Sequence, residues 1–372
     1  MNLRIDSVTL RHVRMRLKSP FVTSFGVEID RDCLVIELKS QGLTGWGECV
    51  AGSYPGYSYE TADTSWHVLA DFFIPTLFKG PFATPREFGG RIPEYKGHPL
   101  ARAGLELAIW DLLGHASKRS LAKMLGASGR PRVPVGVSVG IQPTTDNLLE
   151  TVRGYVDQGY LRVKLKIKPG RDVEDVSAVH TAFPWLPLQV DANSAYSLND
   201  VEVFREMDDL GLLLIEQPLA EDDLLDHSLL QSDLRTPLCL DESILSLRHA
   251  RQALEIDACR VINIKQARVG GLTEAVAIHD MCLDYGIPVW CGGMLETGIG
   301  RSANLALAGL PGFQLPGDIS ASDRYYAQDI AEPTFSLNAD GTIDVPTGIG
   351  LGVEVVPRAL DAVTLRKESF KP

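Results

Sequence analysis

The feature that most constrains the fold is a run of short apolar segments that recur at a nearly constant spacing through the middle of the chain. Each is rich in Val, Ile or Leu and is bounded by polar residues, Gly or Pro. Eight such segments begin at Val133, Arg162, Leu188, Leu212, Leu238, Val261, Pro288 and Phe313. The intervals between successive starts are 29, 26, 24, 26, 23, 27 and 25. A strand, a loop and a three-turn helix together occupy about 25 residues, so the spacing predicts eight β–α units.

Helix-like stretches lie between these segments, for example over 144–159 and 274–286. Strands that alternate with helices in this way predict right-handed βαβ units and a parallel sheet. Eight units favour a closed barrel of the (β/α)8 type, with an open doubly wound sheet as the alternative. The sequence contains neither the G-x-G-x-x-G fingerprint nor the G-x-x-x-x-G-K-[ST] loop of nucleotide-binding sheets.

The regions on either side of the repeat have a different pattern. Residues 1–125 start with apparent strands and continue with helical stretches, which predicts an α+β capping domain. We expect the barrel over 126–320 and a tail over 321–372 that returns to the capping domain. Within the tail, Asp340-Gly341 is a turn signal and predicts a β-hairpin. The capping domain and the tail are expected to cover one mouth of the barrel.

Charge and composition exclude several classes of function. The formal net charge is −12, so nucleic acid and anionic membrane are poor partners. No apolar run approaches the 18 or so residues of a membrane helix, and the N-terminal region has no signal-peptide h-region. That region is Arg-rich, which leaves a transit peptide as an alternative, but its period is that of a strand. Six cysteines without C-x-x-C spacing indicate free thiols, so we expect a cytoplasmic protein.

Charged residues end five successive strands of the repeat at nearly equal intervals. They are Lys166, Asp191, Glu216, Asp241 and Lys265, and the intervals between them are 25, 25, 25 and 24. In a parallel barrel this register brings them to the mouth at the carboxyl ends of the strands. Three buried carboxylates there would repel one another without a cation. All-oxygen ligation predicts Mg²⁺, with Mn²⁺ as an alternative. For any one of the carboxylates taken alone, a helix cap or an ion pair is the simpler interpretation.

The lysines fall on opposite sides of the carboxylates. Lys164 and Lys166 lie on the second predicted strand and Lys265 on the sixth, four strands away and therefore across the barrel. A substrate bound at the metal would have an amine on each face. This arrangement suits removal of the proton next to a carboxylate, with a lysine of lowered pKa as base and the metal stabilising the enediolate. The alternative is simple ion pairing of the lysines with the three carboxylates.

Several further residues are candidates for substrate binding or for support of the site. Asn193 follows Asp191 by two positions, and Arg268 lies three positions beyond Lys265. Glu242 follows Asp241 and is expected to point elsewhere, toward Lys265 or a neighbouring strand. Ser138 ends the first strand. The Gly-rich segment 292–300, which includes Gly293 and Met294, offers backbone N–H groups to an anion at a helix start or is an ordinary strand-to-helix turn.

Two segments of the capping domain are candidates for a lid over the barrel mouth. The first is 19–26, between the first two predicted strands, and the second is the aromatic, Gly-rich segment 51–60. Loops over a barrel mouth often carry specificity. The alternative is that Tyr54, Tyr57 and Tyr59 are ordinary surface aromatics.

The motifs together resemble a known superfamily. KLK at 164–166, DAN at 191–193, EQP at 216–218, DES at 241–243 and KxxR at 265–268 resemble the muconate-lactonising subgroup of the enolase superfamily. Within it, SPFVTSFG, VGVSVGIQ, YLRVKLKIKPG, VDANSAY, IEQPLA and WCGGMLETGIGR resemble the o-succinylbenzoate synthase / N-succinylamino acid racemase family. The resemblance covers essentially the whole chain and implies a modified (β/α)7β barrel with a capping domain.

The resemblance also implies a role for each site residue. Asp191, Glu216 and Asp241 would bind Mg²⁺, and Lys166 and Lys265 would be the acid/base pair. Lys164 would hold the substrate carboxylate and Arg268 would tune Lys265. The synthase reaction dehydrates a cyclohexadiene carboxylate to 2-succinylbenzoate in menaquinone synthesis, with Lys166 as base and Lys265 steadying the enediolate. Racemisation of N-succinylamino acids would use both lysines as bases.

Other functions remain open at this point. A dipeptide epimerase or a muconate cycloisomerase would use the same scaffold, and Asp318 and Asp323 are candidates for binding a dipeptide ammonium group. Arg16 and Lys18 are weak candidates for binding a succinyl carboxylate. A non-catalytic scaffold protein predicts a broken metal or lysine position, and none is broken. We expect a small-molecule carboxylate as substrate and a homo-oligomer.

Overall fold

The computed structural model describes residues 2–92, 95–127 and 129–372, and residues 1, 93, 94 and 128 lie outside that description. The strands are β1 (Ser7–Thr23), β2 (Gly26–Ser40), β3 (Leu43–Cys49), β4 (Arg132–Pro134), β5 (Val137–Val139), β6 (Val163–Lys166), β7 (Leu188–Asp191), β8 (Ile215–Glu216), β9 (Leu238–Leu240), β10 (Val261–Ile264), β11 (Val289–Cys291), β12 (Ala331–Glu332), β13 (Thr342–Asp344), β14 (Glu354–Val355) and β15 (Thr364–Phe370).

The helices alternate with the strands through the middle of the chain. They are α1 (Ala62–Val68), α2 (Ile74–Leu77), α3 (Pro85–Arg91), α4 (Pro99–Ser117), α5 (Leu121–Leu125), α6 (Thr145–Gln158), α7 (Asp172–Ala182), α8 (Val201–Met207), α9 (Leu224–Asp233), α10 (Leu247–Glu255), α11 (Leu272–Asp284), α12 (Gly298–Ala308) and α13 (Pro357–Val363). A π-helical turn lies at Leu69–Phe73, and 3₁₀ turns lie at Leu198–Asp200 and Ser322–Arg324. Within the described ranges, we find no helix with the length and apolar character needed to cross a membrane.

Seven parallel strands form the barrel sheet, in the unbroken order β5-β6-β7-β8-β9-β10-β11. One helix follows each strand, from α6 after β5 to α12 after β11. The strands are two to four residues long, and their apolar side chains, such as Val190, Ile215 and Leu240, are fully buried. The alternation and the parallel sheet predicted from the regular spacing are therefore confirmed.

The eighth segment closes the barrel without forming a regular strand. Phe313 makes a parallel bridge to Val289 of β11, and Gly317 makes one to Val135, just before β5. Backbone hydrogen bonds from Gly136 N to Gly317 O (2.8 Å) and from Asp318 N to Cys291 O (2.9 Å) hold both sides. The two ends of the seven-stranded sheet are thus joined through residues 313–318, which gives the modified (β/α)7β barrel that the resemblance implies.

The capping domain is built on an antiparallel sheet whose order is β15-β1-β2-β3. The last strand of the chain pairs with the first, from Val8 opposite Phe370 onward. Helix α4 packs on this sheet so closely that a Cβ on Gly47 would lie 2.1 Å from the backbone oxygen of Gly104. The distal parts of β1 and β2 pair again from Phe21 opposite Glu28, forming a hairpin arm with its tip at 23–26.

One local expectation is wrong. The turn at Asp340-Gly341 forms, with Gly341 N donating to Asn338 O at 3.0 Å, but it does not connect two strands of a hairpin. Strand β13, which follows the turn, pairs instead with β4 at the base of the barrel, with Ile343 opposite Val133. The turn residues determine the local reversal of the chain, whereas the apolar packing of Ile343 against the barrel decides the pairing partner.

Candidate active site

Charged side chains form a row across five adjacent strands at the carboxyl ends of the barrel. Lys166 ends β6, Asp191 ends β7 and Glu216 ends β8, while Asp241 and Lys265 directly follow β9 and β10. Lys166 is in register with Asp191, and Asp191 with Glu216. The three carboxylates are fully buried. The order across the sheet is therefore cation, three anions, cation, as the equal intervals in the sequence predict.

Two lysines contact the Asp191 end of the row. Lys166 Nζ lies 2.6 Å from Asp191 Oδ2 and donates to Asn193 Oδ1 at 2.6 Å. Lys164 Nζ, two residues earlier on the same face of β6, lies 2.9 Å from Asp191 Oδ2 and 2.8 Å from Glu216 Oε2. Lys164 thus bridges two carboxylates of the row and also pairs with Asp318, whereas the polar partners of Lys166 come from the β7 end alone.

The Asp241 end has a lysine and an arginine of its own. Lys265 Nζ lies 2.8 Å from Asp241 Oδ2. Arg268 donates from Nη1 to Asp241 Oδ1 and from Nη2 to the backbone oxygen of Asn263 at 2.6 Å. Tyr57, from the capping domain, also donates to Asp241 Oδ1, at 2.9 Å. Arg268 therefore lies close to Lys265, as predicted, because both side chains contact the carboxylate of Asp241.

The row has a strongly uneven electrostatic field. Burial and the charges of Asp191 and Asp241 raise the pKa of Glu216 to about 8. Burial also favours neutral forms of Asp191 and Asp241, but the adjacent cations outweigh it and hold the pKa of each below its usual value. The carboxylate of Asp241 in turn overcomes the burial of Lys265 and raises its pKa. The central carboxylate is thus the one whose charge the lysines compensate least.

The donor chemistry of this row fits a hard divalent cation. Among the described residues, no group of three or more Asp, Glu, His or Cys side chains is already gathered closely enough to hold a metal. The three carboxylates nevertheless end or follow adjacent strands, and Glu216 lies in the repulsive field of the other two. Oxygen ligands of this kind, buried and in mutual repulsion, suit Mg²⁺ or Mn²⁺. In the structure, lysine and arginine contacts neutralise them, which is the ion pairing weighed as an alternative from the sequence.

Asn193 and Glu242 form a second line of contacts behind Lys166. Asn193 Nδ2 donates to Glu242 Oε1 at 2.6 Å, while its Oδ1 accepts from Lys166. Asn193 is in a left-handed backbone conformation with φ of 45°, which aims its side chain back toward the row. Glu242 therefore points away from Asp241, toward Asn193 on the side of β7 rather than toward Lys265.

Three further candidates line the cavity above the row. Ser138, Gly293 and Met294 all lie on its wall. The Oγ of Ser138 is buried and makes no hydrogen bond within the described part of the chain. At Gly293, a Cβ would lie 2.5 Å from the backbone oxygen of Asp318, which leaves no room for a side chain.

The Gly-rich segment does not present the start of α12 to a bound anion. Glu48, at the end of the capping sheet, accepts from Thr297 N at 3.1 Å, from Thr297 Oγ1 at 2.7 Å and from Gly300 N at 2.9 Å. The protein's own carboxylate therefore takes the place expected for an anionic ligand. This contact joins the capping domain to the barrel.

The cavity lies between the two domains and encloses about 850 Å³, counting its open mouth. Its barrel floor includes Lys164, Lys166 and Lys265. Its roof comes from the two predicted lid segments, including Phe21, Phe25, Tyr54 and Tyr57. The arm carrying Phe21 and Phe25 is held down by Ser24 Oγ, which donates to Ala192 O at 3.0 Å. Both lid segments thus reach the site, and the roof is mainly aromatic.

Some contributing residues were not found by sequence reasoning. Asn263 Nδ2 donates to Glu216 Oε1 at 2.7 Å; it lies two residues before Lys265 on the same strand face, a period-2 signal that could have identified it. Arg31 lines the cavity and pairs with Glu28 at 2.8 Å. No local pattern distinguishes Arg31 from other charged residues of β2.

The two cations proposed for a succinyl carboxylate do not line the cavity. Arg16 pairs with Asp30 at 3.2 Å on the exposed side of the arm. Lys18 Nζ donates to the backbone oxygen of Asp323 at 2.7 Å. Both are therefore engaged outside the site, because the outward face of β1 carries them away from the barrel.

Comparison with known proteins agrees with this geometry. Residues 5–126 match the family described as "Mandelate racemase / muconate lactonizing enzyme, N-terminal domain", and residues 147–359 match "Enolase C-terminal domain-like". An o-succinylbenzoate synthase from Geobacillus kaustophilus is 48% identical over 98% of this chain and 97% of its own length. An N-succinylamino acid racemase from Amycolatopsis is 50% identical over 98% and 99%.

The chain belongs to the o-succinylbenzoate synthase / N-succinylamino acid racemase family of the enolase superfamily. It is an enzyme of this family, and the resemblance carried by its motifs is confirmed.

Solved structures show how well the family fold is kept. A member of the enolase superfamily from Listeria innocua superposes with a TM-score of 0.95, at 42% identity and 99% coverage of both chains. A dipeptide epimerase from Enterococcus faecalis shares the fold at 24% identity, with a TM-score of 0.86 over 94% of this chain and 99% of that one. That epimerase was crystallised with Mg and a dipeptide.

Proposed function

We propose that this protein removes the proton α to a carboxylate to give an enediolate, whose charge a bound divalent metal would stabilise, and that it acts as an o-succinylbenzoate synthase, an N-succinylamino acid racemase or both. One observation carries the proposal. Lys166 and Lys265 end a row whose three central members are buried carboxylates, and both amines face the same cavity. An α-carbon held above the row has an amine on each side.

The racemase reaction would use the two lysines in turn. Lys166, as the neutral amine, takes the α-proton from one face, and the C–H electron pair passes into the carboxylate as an enediolate. Lys265, as the ammonium, returns a proton to the opposite face of the same carbon. The product is the enantiomer, and exchange with solvent restores both lysines to their starting states.

The synthase reaction would need only one lysine to move protons. Lys166 takes the α-proton of a cyclohexadiene carboxylate, and the resulting ammonium gives that proton to the leaving hydroxyl group. Water and the aromatic product are formed. Lys265 remains an ammonium and stabilises the enediolate by its charge. The geometry supports both reactions because they share the first step.

Asp191, Glu216 and Asp241 are the residues that would hold Mg²⁺, or Mn²⁺ in its place. Bound there, the ion would supply positive charge that stabilises the negative charge developing on the substrate carboxylate. Lys164 contacts two of the three carboxylates and lines the cavity floor, so it is positioned to bind a substrate carboxylate. Asn193 and Glu242 would orient Lys166 from behind.

The dipeptide epimerase alternative receives no support from Asp318 and Asp323. Asp318 is held between two cations, with Arg162 Nη1 at 2.6 Å from Oδ1 and Lys164 Nζ at 2.6 Å from Oδ2. Its charge is therefore already compensated, and a substrate ammonium would have to displace one of them. Asp323 is exposed and does not line the cavity.

We also propose that the protein works in the cytoplasm as a homo-oligomer on a small-molecule carboxylate. All six cysteines are free and buried, as suits a reducing compartment. Leu225 and Leu229 of α9 are 71% and 59% exposed on the outside of the barrel, an apolar surface that a second copy would cover. Sedimentation at several protein concentrations tests the oligomer.

Two assays on one purified sample with Mg²⁺ test the function. The first follows 2-succinylbenzoate formation, and the second follows α-proton exchange into D₂O for a set of N-succinylamino acids. Synthase turnover with slow exchange identifies a synthase, and fast exchange without synthase turnover identifies a racemase. No activity in either assay would contradict the proposal, and dipeptides and lactones would then be tested as substrates.

A further inference from the structure

Tyr57 is a capping-domain side chain that reaches the reacting end of the barrel. It lies in the segment 51–60, between β3 and α1. Its hydroxyl donates to Asp241 Oδ1 at 2.9 Å and accepts from Lys265 Nζ at 3.2 Å. The same Nζ lies 4.4 Å from the centre of the Tyr57 ring. The phenol therefore contacts Lys265 with both its oxygen and its ring.

We propose that Tyr57 is a positioning residue for Lys265, so that the capping domain sets the geometry of one of the two lysines and not of the other. This inference rests on the proposed function, in which both lysines serve as acid and base. It goes beyond that function because it assigns to the capping domain a part in proton transfer at one face of the substrate.

The contacts of Lys265 explain why it needs such a partner. A lysine side chain has four rotatable bonds and loses much rotamer freedom when its amine is fixed. Asp241 Oδ2 fixes the Nζ at 2.8 Å from one side, and the Tyr57 hydroxyl and ring fix it from another. Because Tyr57 also donates to Asp241, the three groups form a closed set of contacts that determines where Nζ lies.

Lys166 has no equivalent contact from the described part of the capping domain. Among the described residues, its polar partners are Asp191, which ends β7, and Asn193, two residues later in the chain. The two lysines thus differ in the origin of their direct polar contacts: within the described ranges, those of Lys166 come from the barrel, whereas those of Lys265 come from both the barrel and the capping domain. A change at Tyr57 should therefore affect one face of the substrate selectively.

The segment that carries Tyr57 is fixed at both ends. Gly52 O accepts from Ala62 N at 2.7 Å at the start of α1. Glu60 accepts from the backbone N–H groups of Leu100 and Ala101, at 2.7 and 3.0 Å, in the first turn of α4. Tyr57 lies between these anchors. Its hydroxyl is consequently held over the barrel by the capping domain's own structure.

The test compares α-proton exchange from the two enantiomers of N-succinylphenylalanine in D₂O with Mg²⁺, followed by proton NMR. Lys166→Ala and Lys265→Ala show which enantiomer each lysine deprotonates. Each variant should exchange only the enantiomer whose α-proton faces its remaining lysine. Tyr57→Phe keeps the ring and removes the hydroxyl, and Tyr57→Leu removes both. Tyr59→Phe is the matched control, since Tyr59 lies in the same segment and is 59% exposed.

Tyr57→Phe should slow exchange from the enantiomer facing Lys265 by about tenfold, the loss expected for a hydrogen bond to a charged group, and Tyr57→Leu should slow it more. Exchange from the other enantiomer should stay unchanged in both variants. Tyr59→Phe should match the unaltered protein, and thermal unfolding should show that all variants are folded.

Two results would overturn the role of Tyr57 while leaving the proposed function intact. Equal slowing for both enantiomers would mean that Tyr57 supports the site as a whole, and unchanged exchange for both would mean that its contacts are incidental. A third result is distinct: if the unaltered protein exchanges neither enantiomer, the racemase reaction of the proposed function is overturned, and the assignment of Tyr57 with it.

Discussion

Glu48 of the capping sheet accepts two hydrogen bonds from Thr297, at the start of helix α12 of the barrel, one from the backbone N–H at 3.1 Å and one from the hydroxyl at 2.7 Å. The contact is buried, and burial raises the pKa of Glu48. A carboxylate at a helix N-terminus is favoured by the helix dipole and by the unpaired N–H groups there. This pair therefore fixes the orientation of the capping domain over the cavity.

Replacing Glu48 should destabilise the protein without touching the lysines. Glu48→Ala leaves the N–H groups of Thr297 and Gly300 without their acceptor and should lower the free energy of unfolding by about 3 kcal/mol. Glu48→Gln should cost less because one oxygen remains. Urea unfolding measures both, with Glu354→Ala as an exposed control. Equal stability of Glu48→Ala and the control would show that the contact contributes nothing.

The two lysines should be separable from metal binding. Lys166→Ala should abolish synthase and racemase turnover while Mg²⁺ still binds, because the three carboxylates are retained. Lys265→Ala should abolish racemisation, since no group on its face could then return the proton. Lys168→Ala, an exposed neighbour of Lys166, is the control and should keep full activity. Undiminished racemisation by Lys265→Ala would contradict the two-lysine scheme.

Asp241 should be required for metal affinity. Asp241→Ala removes one of three carboxylates and leaves Lys265 and Arg268 as uncompensated buried cations, so Mg²⁺ affinity should fall by at least about tenfold. Isothermal titration calorimetry measures the affinity directly. Asp323→Ala, an exposed aspartate beyond the eighth segment, should bind Mg²⁺ normally. An unchanged affinity in Asp241→Ala would remove Asp241 from the ligand set.

Added metal should stabilise the folded chain. A ligand that binds only the folded state adds about 2.7 kcal/mol when present at 100 times its dissociation constant. Saturating Mg²⁺ should therefore raise the Tm, and a chelator should reverse the rise and abolish turnover. The same addition should raise the Tm of Asp241→Ala less, because a tenfold weaker site gains only about 1.4 kcal/mol at that concentration. A Tm that does not respond in the unaltered protein would argue against a site formed by the carboxylate row.

Glu60 should give the protein a measurable pH dependence of stability. Burial raises the pKa of Glu60 to about 6, although the N–H groups of Leu100 and Ala101 partly oppose it. Because the folded-state pKa is above the unfolded value of 4.5, the folded form is favoured below pH 4.5 and loses this advantage as pH rises through 6. The loss should be about 2 kcal/mol relative to Glu60→Gln, measured by urea unfolding between pH 4 and 7. Parallel curves for the two proteins would contradict the shift.

The sequence predicts the repeating part of this molecule well because the repeat is local. Each strand, helix and cap lies within a single repeat, and the charged residues that end the strands share one register. Asp191, Glu216 and Asp241 therefore fall beside one another without any knowledge of the rest of the chain. The same local logic would have reached Asn263, two positions before Lys265.

Local sequence patterns do not predict the long-range contacts of this fold. The turn at Asp340-Gly341 forms as predicted, yet β13 pairs with β4, which precedes the entire barrel sheet in the chain. Tyr57 and Tyr59 are the same residue type in the same segment, but of the two only Tyr57 reaches Asp241. Which of two similar side chains enters the barrel depends on how the capping domain is anchored, and that information is distributed over distant residues such as Glu48 and Glu60.

The pairing of β15 with β1 has a consequence for biosynthesis. Thr9 and Ser369 are hydrogen-bonded to each other although they lie near opposite ends of the chain. At translation rates of about 5 to 20 residues per second, the outer edge of β1 stays open for roughly 20 to 70 s after it leaves the ribosome. During that time its unpaired backbone N–H and C=O groups can form β-sheet hydrogen bonds with a strand of another chain. A nascent chain of this protein is therefore most exposed to aggregation at its N-terminal strand, which is also where a chaperone would be most useful.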